Sequence, residues 1–498
     1  MALHCSCPTP VSQSEPCAQT VVTGVPSVHQ PELCAQAVGV SDSAEGRWNT
    51  SSSTAMDWFL WHQCLALPLA VLYSLARARL SLTWRYVSLG LGGCLLAVGT
   101  MGVYSLVVLV AALGFALLVV CVPPDRVHGW VFWGQMLWQT VCHLLLQHGE
   151  GLLPPGGGVR ALVAVSSLML LTQRVTSVSM DLQEGRIRLP PGGAASCPLF
   201  LLSLCSYVLS FPTLLGGPLY PYSRFVGCVE GSGPGAPPLP LGAVSLKLLQ
   251  VLLLEGVRAG LLRGLPGPGP AAAAAAAAAG GPAGACLCLW GAALALRLRY
   301  YSHWGVSEGL NLAAGFGPRG PDRAGLSDGD PWTTEASPRV SEFARRWNAT
   351  TAAWLRRLVF RRGGRCPLLL TFGFSAWWHG LRPGQAAGFL GWGLAVRADH
   401  ALHRHVGAAL SSRWGRGLYA GLSWAHTQAV ITWVVLLVEA RGAAPLGAWS
   451  SGGAAPLGAW SSGGAAPLGA WSSVSVLLFP LLNAALALGF LLKARVFS

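Results

Sequence analysis

Apolar residues dominate this chain in long unbroken runs, not in the three-to-four spacing of a soluble helix or the alternation of a half-buried strand. The first run is Trp58–Leu75, closed by Arg77, Arg79 and Arg85. Tyr86–Val122 is too long for one membrane span and predicts two helices that turn near Gly99–Gly102 and stop at Pro123-Pro124-Asp125-Arg126. Val131–Gln147 is a less apolar helix whose Gln135, Gln139 and His143 fall at i, i+4 and i+8, a polar stripe on one face. Such a stripe either packs on other helices, the preferred reading, or lines a cavity. Further runs are Arg160–Leu171, Pro198–Gly217, Val244–Leu262 with Glu255 inside it, Ala285–Leu296, Pro367–Gly380, Gln385–Arg397, Leu418–Glu439 and Val474–Leu492. Together they predict about ten or eleven spans. Lipid cannot satisfy irregular backbone, and the runs are too continuous for barrel strands. The fold class is therefore an all-α polytopic membrane protein.

The remaining segments are polar or repetitive. Residues 1–55 hold no apolar run and no signal-peptide core, and predict a disordered extension ahead of a transmembrane domain over 56–498. Two low-complexity loops are expected inside that domain. One covers 264–284, where Ala271–Ala279 lies between Pro/Gly-rich flanks. The other covers 442–473, where GAAPLGAWSSG repeats from Gly442, Gly453 and Gly464; its prolines and glycines bar a continuous helix.

Composition agrees. Only 10% of residues are charged, against about 25% in a soluble domain, and mean hydropathy is +0.50. The net charge is +14, with basic residues spread between apolar runs. That distribution argues against nucleic acid and suits anionic lipid surfaces or an anionic substrate such as a CoA phosphate. The 14 cysteines include no C-x-x-C pair, so neither a disulfide framework nor a zinc site is predicted. His400, His403 and His405 do not share a helix face and predict a solvated boundary, not a metal centre.

Arg345–Gly384 carries most of the functional information. It begins basic and amphipathic and ends in an apolar run closed by His379. An imidazole at the end of such a run marks either a functional site or an interfacial anchor. Asn348 stands in Trp347-Asn348-Ala349-Thr350, which also fits an N-glycosylation sequon. Eight arginines between Arg339 and Arg365, against the single acid Glu342, place the segment at the cytoplasmic face, where glycans are not added. Pro367–His379 is thirteen residues, about 20 Å of helix, short of a bilayer core of about 30 Å. His379 is thus expected inside the membrane profile.

The pattern W-N-x-T-x-x-W-L followed by A-W-W-H-G-L-x-P-G resembles the membrane-bound O-acyltransferase (MBOAT) family. Met56–Leu60, Gln173–Asp181, Phe211–Pro218, Tyr300–Trp304, Ala314–Gly317 and Ser423–Gln428 are similar to the same family, so the resemblance covers roughly Met56–Lys493. It implies a helical bundle around an internal catalytic channel, acyl-CoA as co-substrate with no bound cofactor, and Asn348 and His379 as the essential pair. The wording of RRWNATTAAWLRRLVFRR is nearest to a branch acting on a secretory peptide hormone precursor. That branch implies octanoyl-CoA as donor, a serine near the peptide's N-terminus as acceptor, and the endoplasmic reticulum membrane.

The chemistry asks for a base on the acceptor hydroxyl, which His379 fits. It also asks for a donor to the thioester oxyanion, and Asn348 either fills that role or orients the acyl-CoA. No Ser, Cys or Asp occupies a nucleophile motif, so direct transfer is the simpler route. Arg356 and Arg357, with Arg361 and Arg362, lie where a CoA pyrophosphate approaches, although the positive-inside topology signal is the stronger reading. Asp181, Glu184 and Arg174 predict an ion-paired cap, and His303 an interfacial anchor. Alternatives are a lysophospholipid acyltransferase with the same Asn and His, a transporter in which His379 relays protons, and an inactive scaffold. The paired motif and the lack of inverted repeats weigh against the transporter.

Overall fold

A computed structural model describes residues 45–148, 157–233, 239–265, 270–317, 327–409 and 412–439. Among them the chain forms helices and no strand, as the run pattern requires. The first five are α1 (Glu45–Ala76), α2 (Leu82–Met101), α3 (Ser105–Cys121), α4 (Pro124–His148) and α5 (Gly157–Gln183). Four follow as α6 (Pro198–Val208), α7 (Phe211–Leu214), α8 (Tyr222–Glu230) and α9 (Leu241–Gly264). The long α10 (Pro270–Ala313) leads to the short α11 (Pro331–Glu335), α12 (Val340–Arg346), α13 (Ala349–Leu358) and α14 (Pro367–Trp378). Last come α15 (Pro383–Ala409) and α16 (Arg413–Glu439).

The turn expected near Gly99–Gly102 falls at Gly102, whose φ of 59° ends α2 before a short 3-10 turn leads into α3. Two expectations shift. α1 starts at Glu45, inside the stretch read as a disordered extension. The loop expected over 264–284 is helical from Pro270, because the alanines favour helix over coil; only Gly281 (φ 58°) breaks it. The period-11 repeat and the run Val474–Leu492 lie outside the described residues.

By length and composition, three stretches among the described residues can cross a bilayer: Leu82–Cys121, α5 and α16. Charge interrupts some of the other long helices. α9, for example, holds Lys247, paired with Glu308 at 2.7 Å, and Arg258, paired with Glu255 at 2.7 Å.

Burial is inverted relative to a soluble protein. Leu91, Leu95, Leu106, Leu113, Trp130, Trp133 and Leu137 stand exposed on α2–α4. Thr172, Gln173, Arg174, Thr176, Ser179 and Asp181 of α5 are buried. In lipid this is the stable arrangement: apolar chains face the bilayer and polar groups pair inside. The largest apolar cluster joins α1–α9 with the end of α10. Val340, Phe343, Ala376, Phe389 and Trp392 belong to a second, built by α12 and α14–α16. Met136, Met180, Trp354, Phe374 and Trp378 form a third, between α4, α5, α13 and α14. α14 thus has one face in each of the last two, which clamps it along its length.

Candidate active site

α14 opens on Pro367, whose missing N–H costs nothing in a first turn. It closes immediately before His379. Leu381 N–H donates to Ala376 O and Gly380 N–H to Trp377 O, each at 3.0 Å, a Schellman closure with His379 as its last helical-type residue. Gly380 (φ 113°) and Leu381 (φ 60°) turn the chain away. Leu381 and Asn348 are the two non-glycine residues with positive φ among the described residues.

α4 reaches two of the carbonyls at and just beyond this helix end. Gln139 Nε2 donates to Trp378 O, and Gln147 Nε2 donates to Gly380 O at 2.8 Å. A Cβ on Gly380 would lie 2.8 Å from His143 Nδ1, so glycine is required there by contact as well as by φ. Gln135 donates to Thr172 Oγ1 at 3.4 Å, and Thr172 Oγ1 donates to Gln139 Oε1 at 2.7 Å. The predicted polar stripe is thus a packed face, and it continues one step further to Gln147. Its partner is the backbone that presents His379. The imidazole lies against Trp378 (ring centroids 4.8 Å apart) and stacks on Phe389 (4.7 Å). It is half-buried, and its ring nitrogens have no hydrogen-bond partner among the described residues.

Asn348 occupies the corner between α12 and α13, with φ 45° and ψ 58°. Asparagine tolerates this left-handed conformation better than most residues. Its carbonyl accepts the first bond of α13, from Ala352 N–H at 2.9 Å. Behind it, Asp328 grips the next two residues. Ala349 N–H donates to Asp328 O at 2.7 Å, and the Thr350 hydroxyl donates to Asp328 Oδ1. Thr350 Oγ1 in turn accepts from Leu219 N–H at 3.1 Å. The Asn348 carboxamide is half-buried and makes no hydrogen bond among the described residues.

Two aromatic routes link the helices that carry these residues. Trp354, one and a half turns beyond Asn348, packs on Trp378 at 5.3 Å. Trp347, just before Asn348, stacks on Phe343 at 5.8 Å, and Phe343 shares the second cluster with Phe389. α13 is fastened to α5 by Gln173 Nε2 donating to Thr351 Oγ1 (2.9 Å) and Trp354 Nε1 donating to Thr176 Oγ1 (3.0 Å).

The arginines separate. Arg356 is exposed. Arg357 is tied to Asp181 (2.7 Å) and Glu184 (2.8 Å), so its charge joins α13 to the end of α5. The cap expected from Asp181, Glu184 and Arg174 is therefore built with Arg357; Arg174 instead donates to Val208 O at 3.0 Å. His303 is buried, with Nδ1 2.8 Å from Gln63 Oε1, and joins α10 to α1 instead of anchoring at an interface. A groove of about 720 Å³, walled by Trp130, Trp133 and Leu137, opens on the outer face of α4 and includes neither Asn348 nor His379. Sequence reasoning missed Asp328, Gln147 and Gly380. Gln147 had a signal in the continued i+4 spacing and Gly380 in its place inside the motif; Asp328 had none.

Among the described residues, then, a strongly apolar helical protein carries a carboxamide and an imidazole without hydrogen-bond partners on two fixed helix ends. Residues 194–421 match the family MBOAT, membrane-bound O-acyltransferase, and the chain belongs to it. It is 42% identical over 411 residues to mouse membrane-bound ghrelin O-acyltransferase, covering 78% of this chain and 93% of that protein. The rat protein of the same name is 40% identical over 415 residues, with the same coverage. Rat membrane-bound glycerophospholipid O-acyltransferase 2 is 30% identical over 300 residues, 54% of this chain and 57% of its own.

Proposed function

We propose that this enzyme transfers an octanoyl group from octanoyl-CoA to a serine hydroxyl near the N-terminus of proghrelin, in the endoplasmic reticulum membrane. One observation supports the reading: the Asn348 carboxamide and the His379 imidazole, on the ends of helices that pack through Trp354 and Trp378, make no hydrogen bond among the described residues. His379 takes the proton from the serine hydroxyl as its oxygen attacks the thioester carbonyl carbon. The Asn348 carboxamide donates to the oxygen that becomes negative in the tetrahedral intermediate. Collapse breaks the carbon–sulfur bond, and the imidazolium returns its proton to the leaving CoA thiolate. No acyl-enzyme is formed. Arg356, exposed on the helix that begins beside Asn348, meets the CoA phosphates; Arg357 contributes by holding that helix in place. The pair borders a channel through a bundle of about ten or eleven spans, so that cytosolic acyl-CoA and a lumenal peptide reach it from opposite sides.

The 30% identity to a glycerophospholipid acyltransferase supports a second reading, transfer to a lysophospholipid by the same two residues. Purified protein with octanoyl-CoA should acylate a proghrelin N-terminal peptide and leave lysophospholipid unchanged. Turnover of lysophospholipid alone would overturn the peptide assignment, and turnover of neither would overturn the enzyme.

A further inference from the structure

The loop before α11 is unremarkable in sequence, yet its Asp328 is 3% exposed. We infer that Asp328 is a positioning residue for acyl transfer: its carboxylate, through the Thr350 hydroxyl and its own backbone carbonyl, clamps the left-handed turn that presents the Asn348 carboxamide. The inference rests on the role given to Asn348 above.

The geometry leaves the clamp little other purpose. Asn348 stands in a left-handed backbone region that most L-residues avoid and asparagine tolerates, and such a turn persists only if neighbours over-determine it. Asp328 bonds both residues that follow. The loop is held from behind as well, since a Cβ on Gly329 (φ 158°) would come within 2.8 Å of Arg346 O. The groups facing the carboxyl are uncharged or already paired. Glu308 of α10 is paired with Lys247 at 2.7 Å, the Tyr220 hydroxyl donates to Phe316 O at 3.1 Å, and the Arg346 guanidinium is paired with Glu342 at 2.7 Å. No cation therefore neutralises Asp328 among the described residues. Burial, opposed by the Thr350 bond and aided by Glu308, pushes its carboxyl up to about 7.

A carboxyl raised this far above its unfolded value of about 3.9 is protonated in the fold below about 7 and ionised above it. Stability is lost as pH rises from that unfolded value through about 7. An uncharged side chain would be more stable there. The ionised form offers a charge-assisted bond to Thr350, roughly twice as strong as a neutral one. Asp328 thus exchanges stability for a stiffer Asn348 turn, and it does so in the neutral range.

The test is Asp328→Asn, which keeps shape and an acceptor oxygen but cannot ionise, in full-length protein assayed for peptide octanoylation from pH 5.5 to 8.5. Thr350→Ser and His379→Ala run alongside. The expected ratio of wild-type to Asp328→Asn kcat is about tenfold at pH 8.5 and falls toward one at pH 5.5, with KM for both substrates unchanged and Thr350→Ser close to wild type. In detergent, Asp328→Asn should melt no lower than wild type at pH 8.5. A ratio that is one, or equally large, at every pH overturns the clamp. So does a variant less stable than wild type at pH 8.5, since Asp328 would then be a structural prop. If His379→Ala keeps full activity, it is the reading of the site itself that fails.

Discussion

The two ends of this site solve one problem in opposite ways. Asn348 begins a helix and His379 ends one. Beside His379 the strain falls on Gly380 and Leu381, and the clamp is a pair of neutral glutamines on a neighbouring helix. At Asn348 the left-handed turn falls on the proposed donor itself, and the clamp is an ionisable loop carboxyl and the hydroxyl of Thr350. At the His379 end, backbone and chemistry are therefore separable. At the Asn348 end one residue must serve both.

Mutations can break this comparison, and the largest effect is expected at the histidine. His379→Ala leaves an ordinary helix-end backbone, so transfer should fall by about 10²–10⁴-fold while the protein elutes and melts as wild type. Loss of fold would show that the imidazole also holds structure. At the other end, Asn348→Gly keeps the left-handed turn and deletes the carboxamide. It should lose about 10²–10³-fold in kcat with little change in stability, whereas Asn348→Ala should lose both activity and about 1–2 kcal/mol. An active glycine variant would reduce Asn348 to a conformational role.

Gly380→Ala sharpens the contrast from the side where the strain is separate. The added Cβ meets His143 in a backbone region alanine avoids, at a cost of about 1–3 kcal/mol in stability. Octanoylation should weaken in step, read by thermal melting and turnover on the same sample. The smallest effects belong to the arginines. Arg356→Ala should raise KM for octanoyl-CoA a few-fold without altering the melt. Arg357→Ala should lower the melt by removing the shortest ion pairs of Asp181 and Glu184, at 2.7 and 2.8 Å, with Arg186 left beside both and KM little changed. The reverse pattern would return the phosphate role to Arg357.

These expectations mark how far the sequence reaches. Run lengths and the absence of alternation determine an all-helical membrane protein, because a backbone in lipid has to satisfy its own hydrogen bonds. The break at Gly102 was legible for a similarly local reason. Asn348 and His379 stand out through the motif that surrounds them and remain the proposed pair, and the Gln135-Gln139-His143 stripe was legible from its period. A period names a face but not its neighbour, so only packing showed that the stripe holds the end of α14. The partners of the site come from far along the chain, α4 for His379 and a loop aspartate for Asn348, and composition offers no trace of such pairings. The assignment of Arg357 turned on the same point. As a basic residue beside Asn348 it looks like Arg356, and only the docking of α13 on α5 set two carboxylates beside one of them and left the other exposed.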